Sequence, residues 1–352
     1  HATDFIEEMI NLVQKMIANK TAYVSESHVL FDVTKYNAYG KLSGRNIEEQ
    51  LAGSRVEVAS YKKNAGDFVL WKPSTDNQPG WDSPWGFGRP GWHLECSAMA
   101  EESLGLPFDI HAGGMDLIFP HHENEIAQSC GAHNENNDPT IFAKYWLHNA
   151  MLNIDGEKMS KSLGNIFYIR DYLENFDGEI LRLALLSGHY RQSINWTNET
   201  INQSKNTLDK FYRILNKVLD IKVNDNDVSK CPKNVLEALC DDLNTSKALA
   251  EVNNIAKKLS LAENLDEKIK YKTRLLASAN VLGILQHSPK KWLGIGQIQD
   301  NLDSKHIEDL INQRNEARKN KDFKTADEIR NKLTDLGIEI EDTPNGTIWR
   351  SI

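Results

Sequence analysis

Two histidines stand side by side in FPHHENEIAQS, residues 119–129, and two glutamates follow them. If a helix begins after Pro120, His121 and Glu125 are four residues apart and share a face. An imidazole nitrogen and a carboxylate oxygen can then reach one ion together. His122 and Glu123 would point elsewhere. The plainer alternative is a helix whose first turn is acidic because of its dipole, with two surface histidines ahead of it. A zinc hydrolase of the H-E-x-x-H type is excluded, since the residue four after His122 is Ile126.

A second group of chemically capable residues is KMSKS, residues 158–162. Lys158 and Lys161 can face one polyphosphate as point charges while the serines offer hydrogen bonds. Gly156 before and Gly164 after allow the segment to open and close. Such a segment suits a reaction in which pyrophosphate leaves and its charge is neutralised by electrostatics instead of covalent chemistry. A solvated Lys/Ser turn is the competing explanation.

These groups need elements to hold them. Residues 3–19 have the helical periodicity of Phe5, Ile6, Met9, Ile10, Val13 and Met16, and AYVSESHVLFDV alternates around a polar turn as a hairpin does. The stretch 73–91 is dense in Gly and Pro and reads as a structured loop or domain junction. Strand-like PFDIHAGG, the helix after Pro120, and strand-like AMLNIDG running into EKMSKSLGN predict a parallel α/β sheet. After residue 198, Ile201, Leu208, Phe211, Leu215, Val218 and Leu219 recur at helical spacing, and the pattern continues to about residue 286. A connector, SPKKWLGIGQ, leads to a last helix with Phe323, Ala326, Ile329 and Leu333, then the hairpin-like GIEIEDTPNGTIWR.

EKMSKSLGN matches the second signature of the class I aminoacyl-tRNA synthetases, and GWHLECSAM, DIHAGG and FPHHENEIAQS together resemble the cysteinyl-tRNA synthetases. The resemblance runs through DDLNTSKAL to DFKTADEIRNKL and EDTPNGTIWR, essentially the whole chain. Ala112 stands where the family usually has glycine, and Ser246 where it often has proline. The first family signature, His-x-Gly-His with a metal-binding cysteine just before it, is not in the sequence. The chain therefore resembles the family without the first half of its nucleotide-binding fold, and its opening on His1 fits part of a longer protein.

The resemblance implies an α/β fold: the second half of a Rossmann-like parallel-sheet catalytic domain with an inserted domain, followed by an α-helical bundle and a small C-terminal mixed α/β domain. The expected boundaries are 1–75 for the inserted domain, 76–155 for the catalytic fold with the zinc site, and 156–200 for the KMSKS and stem-contact region. The tRNA-binding bundle is expected at 201–290 and the anticodon-binding domain at 300–352.

The resemblance also implies roles. Zinc would take Cys96, His121 and Glu125, with a fourth, upstream cysteine. Trp92 would wall the thiol pocket, unless it is an ordinary core aromatic. Asp116 would bind the substrate ammonium or a ribose hydroxyl. His111, Gly113, Gly114 and His148 would contact ATP, although His148 fits a satisfied core histidine equally well. Lys158 and Lys161 would be catalytic, with Lys161 on the ATP phosphates. The implied reaction joins L-cysteine to tRNA(Cys) through cysteinyl-adenylate, with Mg²⁺ accompanying ATP. Zinc separates cysteine from serine by its preference for thiolate, where an apolar pocket discriminates poorly.

At the C-terminus, Arg314 and Arg318 lie four apart near Lys321 and Lys324, and residues 314–332 hold seven Lys/Arg against four Asp/Glu. With Trp349 they are expected to contact the tRNA; a solvated helix with Trp349 in a small core is the alternative. A cysteine ligase of mycothiol synthesis resembles the same catalytic core but has no need of an RNA-reading end. A non-catalytic RNA-binding relative of a synthetase is the third possibility.

Composition sets the bounds. With 352 residues the chain should divide into two to four domains, and 40% hydrophobic with 26% charged residues is ordinary for a soluble protein. The net charge of −9 argues against generic coating of nucleic acid. No apolar run approaches the roughly 18 residues of a membrane span. Four cysteines without a regular framework predict a reducing, cytoplasmic setting, and a monomer is expected.

Overall fold

The computed structural model describes residues 1–45, 59–134, 138–159, 164–295, 304–336, 338–343 and 346–351. They form two compact units, His1–Met151 and Leu152–Ile352.

The first unit opens with α1 (Ile6–Ala18), preceded by a 3-10 turn over Ala2–Phe5, so the expected helix starts slightly late. Its inner stripe of Met9, Leu12, Val13 and Met16 is buried, each such side chain contributing about 1.5–3 kcal/mol by leaving water. The predicted hairpin follows as β1 (Ala22–Ser25) and β2 (His28–Phe31). Glu26 and Ser27 turn it with φ of 47° and 60°, the left-handed pair that matches strand twist. Strands β3 (Phe68–Pro73) and β4 (Gly88–Pro90) complete a four-stranded antiparallel sheet in the order β1-β2-β3-β4. The 73–91 stretch is thus partly ordered into sheet, with Trp81 bridging to Gly88.

Next come α2 (Trp92–Leu104), β5 (Phe108–Gly114), α3 (Glu123–His133) and β6 (Ala143–Asn149). β5 and β6 pair in parallel around α3 in a β–α–β unit, but its second strand is Ala143–Asn149 and not the expected AMLNIDG, whose Leu152–Ile154 pairs in the second unit. Phe31, Trp71, Leu94, Ile126 and Phe142 belong to the common core beneath.

In the second unit, β7 (Leu152–Ile154) turns through Asp155 and Gly156 into β8 (Glu157–Lys158), while β9 (Ile194–Trp196) lies parallel to β7. The turn has φ of 48° and 85°, and its Gly156 N–H donates to Asn195 Oδ1 at 2.7 Å. Helices α4 (Gly178–Leu186), α5 (Asn198–Lys217), α6 (Lys233–Cys240), α7 (Thr245–Leu261) and α8 (Leu265–Leu282) then follow. Leu208, Phe211, Tyr212, Val252 and Leu275 lie in their shared core.

Two polar groups tie this bundle. Buried Glu179, in the first turn of α4, accepts from Tyr212 Oη (2.8 Å) and from the N–H groups of Leu285 (3.0 Å) and Gln286 (2.5 Å). Lys272 Nζ donates to the carbonyls of Val218, Leu219 and Ile221 beyond α5, at 2.9, 3.3 and 2.6 Å. It thereby satisfies oxygens that a helix end leaves without partners. The chain ends with α9 (Ser304–Lys319), α10 (Phe323–Asp335) and the hairpin β10 (Ile338–Thr343)–β11 (Gly346–Ser351), around a small core of their own.

Candidate active site and metal centre

The helix after Pro120 does carry His121 and Glu125 on one face, and α2 brings Cys96 to them. One ligand atom from each lies within 4.8 Å of the other two. His121 is 4% exposed and Glu125 not at all. Glu125 is held between two imidazoles, His121 Nε2 at 2.9 Å and His111 Nε2 at 2.8 Å. Burial pushes its carboxyl up, but hydrogen bonds from His111 and His121 outweigh burial and hold it at about 2. Burial first, and then the Glu125 charge beside it, push the Cys96 thiol up to about 12. A fixed carboxylate, an imidazole and a thiol that is reluctant to ionise without a cation form a donor set that fits zinc.

The surroundings add aromatic and histidine rings. Trp92 is half exposed, and its ring lies 4.0 Å from that of His121. It stands at the mouth of the site instead of in the core. His93 Nδ1 lies 2.7 Å from His121 Nδ1, and burial, reinforced by His121, lowers its pKa to about 4. His122 was expected to point away; it does not. Its Nδ1 is 2.7 Å from His148 Nε2, its ring packs edge-on against His111, and burial lowers its pKa to about 4. Residues His111, His122 and Glu125 form a second close trio, which shares Glu125 with the first.

Parallel pairing explains why these groups meet. Gly113 and Gly114 stand opposite His148 and Asn149 at the carboxyl ends of β5 and β6, the edge at which open α/β sheets bind ligands. A Cβ on Gly113 would sit 2.9 Å from the His122 ring, so glycine is what lets that ring pack there. Asp116 is exposed just beyond β5.

In the second unit, Lys158 is exposed at the end of β8, and its carbonyl accepts from Asn165 Nδ2 at 3.3 Å. Lys161 lies outside the described residues. At the C-terminus, the three residues expected to face RNA have partners within the domain. Arg314 is 6% exposed and grips Asp342 with both terminal nitrogens, at 2.8 and 2.9 Å. Arg318, half exposed, bonds the same carboxylate. Trp349 is buried with Ile307, Leu310, Ile311, Leu333 and Ile338. Charge and ring alike are engaged within the domain. The exposed aromatic is Phe323 (63%), with exposed Lys321 and Lys324 beside it; its sequence signal, a lone aromatic between lysines, was read as core.

More than half of the chain matches the catalytic domain of the class I aminoacyl-tRNA synthetases, and that is its class. A family model described as the class I (C) tRNA synthetase catalytic domain matches residues 1–206; a DALR domain matches 234–286, and a cysteinyl-tRNA ligase anticodon binding domain matches 304–350. The chain belongs to the cysteine–tRNA ligase family. It is 51% identical to a cysteine–tRNA ligase of Rhodospirillum rubrum over 99% of this chain and 75% of the relative. It is 48% identical to one of Maricaulis maris, over 100% and 75%. Among solved structures, Mycobacterium tuberculosis methionyl-tRNA synthetase in complex with methionyl-adenylate superposes with a TM-score of 0.51 and 16% identity over 86% of this chain and 77% of that one, a likeness of fold. Among the described residues no helix is long and apolar enough to cross a membrane.

Proposed function

We propose that the protein activates L-cysteine with ATP and transfers it to the 3′ end of tRNA(Cys), selecting the amino acid through a zinc-held thiolate. The observation that carries this reading is the convergence of Cys96, His121 and Glu125 beneath Trp92 at the ends of two parallel strands. Zinc, held by those three side chains and an upstream cysteine, would supply Lewis acidity that favours sulfur over the oxygen of serine. The residues of this chain do the rest. Trp92 shields the thiol end of the pocket from water, and Asp116 takes the substrate ammonium or a ribose hydroxyl. His111, Gly113, Gly114 and His148 form the side where the adenosine of ATP approaches backbone. Lys158 and Lys161 neutralise the phosphates, whose Mg²⁺ is carried with ATP. As the cysteine carboxylate attacks the α-phosphate, the bond to pyrophosphate breaks; no covalent bond to the enzyme is needed, so positioning and charge suffice.

On this reading residues 1–75 are the inserted domain, 76–155 the catalytic fold, 156–200 the KMSKS and stem-contact region, 201–290 the tRNA-binding bundle and 300–352 the anticodon reader. Phe323, with Lys321 and Lys324, offers the stacking ring and charges that Trp349 and Arg314 do not present. A mycothiol-type ligase is disfavoured by the anticodon-domain match at 304–350.

The test is metal content and cysteine-dependent pyrophosphate exchange in the protein at its full length. One zinc per chain is expected, together with exchange supported by cysteine and not by serine, and Cys96→Ala should lose most of the metal. Unchanged zinc in Cys96→Ala would overturn the ligand assignment. Equal exchange with serine would overturn the selection mechanism.

A further inference from the structure

Helix α2 is joined by two polar contacts to α3 and to the helical turn Ile118–His122 that runs into it, one of them on the candidate ligand His121 itself. His93 meets His121 at 2.7 Å, and Ser97 Oγ donates to Gln128 Oε1 at 2.5 Å. Cys96 is the neighbour of Ser97 in sequence, and Glu125 sits one turn before Gln128. Both Ser97 and Gln128 are fully buried. Ser97 Oγ also lies 3.2 Å from the carbonyl of His93, a second and more distant acceptor for its one proton.

A buried serine–glutamine pair adds little net stability, because each partner gives up hydrogen bonds to water. Apolar residues of the same size would pack as well. The pair does, however, supply direction. The apolar side chains buried on these helices include Leu94, Ala98, Ile126 and Ala127. Apolar packing is non-directional, whereas a hydrogen bond depends on distance and angle. A slip of α2 along α3 would carry the Cys96 thiol away from His121 and Glu125.

We infer that Gln128, acting through Ser97, is a positioning residue for the metal centre: it sets the register of the two helices that carry Cys96, His121 and Glu125. The inference rests on the zinc reading above and concerns residues to which that reading gives no role. Gln128 is not among the side chains that converge as candidate ligands. Its effect is on how well the donor atoms are spaced before an ion arrives.

The experiment is a double-mutant cycle in the full-length protein with Ser97→Ala, Gln128→Met and the pair together. Zinc affinity is measured by competition with a chromophoric chelator, and ligand geometry by the visible absorption of the Co²⁺-substituted protein. Each single change should weaken zinc by about 10-fold, the low end of outer-shell effects. The double variant should be no weaker than the worse single, because both changes remove one bond. The Co²⁺ bands should shift in all three, while the metal-free melting temperature of Ser97→Ala stays within a few degrees of the parent. Losses below two-fold, losses that add, or unchanged Co²⁺ bands would overturn the inference while leaving the zinc reading standing. If the parent itself bound no zinc, both would fall. Should Gln128→Met fail to fold, Ser97→Ala decides the question by affinity and spectrum alone.

Discussion

Replacing Asp342 by alanine should unfold the C-terminal domain without disturbing the chemistry. Asp342 accepts from both terminal nitrogens of Arg314, from Arg318 and from Thr347 Oγ1 at 2.8 Å. Arg314 is 6% exposed, so removing its partner strands a buried guanidinium. Breaking a buried pair in this way costs about 3–5 kcal/mol. The Asp342 side chain is 41% exposed, and solvent screening brings the expectation down to roughly 2–3 kcal/mol. The domain, residues 304–351, has six residues in its buried core; at about 0.05–0.15 kcal/mol per residue its whole stability is about 2–7 kcal/mol. The loss is therefore comparable to what holds the domain together. Hydrogen exchange of Ile307, Leu333 and Trp349 amides should rise sharply in Asp342→Ala, and tRNA charging should fall while cysteine-dependent pyrophosphate exchange persists. The pH response has the same root. Hydrogen bonds from Arg314 hold the Asp342 carboxyl well below the usual carboxylate range, against burial. Its contribution is then fully present above about pH 4 and is lost as pH falls toward the depressed value. Protection that is unchanged in Asp342→Ala, or protection that rises on acidification, would refute this account.

Three further outcomes are expected. Lys161→Ala should slow pyrophosphate exchange by about 10²–10³ with zinc content intact, the scale of losing one group that stabilises transition-state charge; near-normal exchange would make KMSKS a mere turn. Phe323→Ala should weaken tRNA charging by roughly 1–3 kcal/mol of stacking, with exchange unaffected, and charging at the parental rate would remove the ring from the RNA face. Lys272→Met should lower the stability of the bundle by about 2 kcal/mol, since three carbonyls lose a charged donor; a melting temperature equal to the parent's would show that water replaces it freely.

The sequence made the His121–Glu125 pair legible because four-residue spacing after a proline is a local property, and the two do share a face. His122 was misread for the same reason. Helical geometry in isolation points it away, but the ends of β5 and β6 come from elsewhere in the chain and meet it on its other side. Strand β6 itself gave no alternating signal, because exposed Lys144 and Tyr145 stand next to each other and burial does not alternate along it. Arg314 shows its charge in sequence but not its partner, which lies on a strand 28 residues away. Trp349 is buried and Phe323 exposed, because which aromatic enters a core this small depends on how the hairpin folds back over α9 and α10.

The buried carboxylate of Glu179 has a mechanical consequence. Its oxygens gather the hydroxyl of α5 and two backbone amides beyond α8 onto the first turn of α4. Hinges need backbone that can rotate without breaking bonds, and here rotation would tear three bonds to one buried carboxylate at once. The start of α4 and the far end of the bundle must therefore turn as one lever. A load on the helices from whatever binds them would reach the segment just before α4 as displacement instead of being absorbed as local flexing.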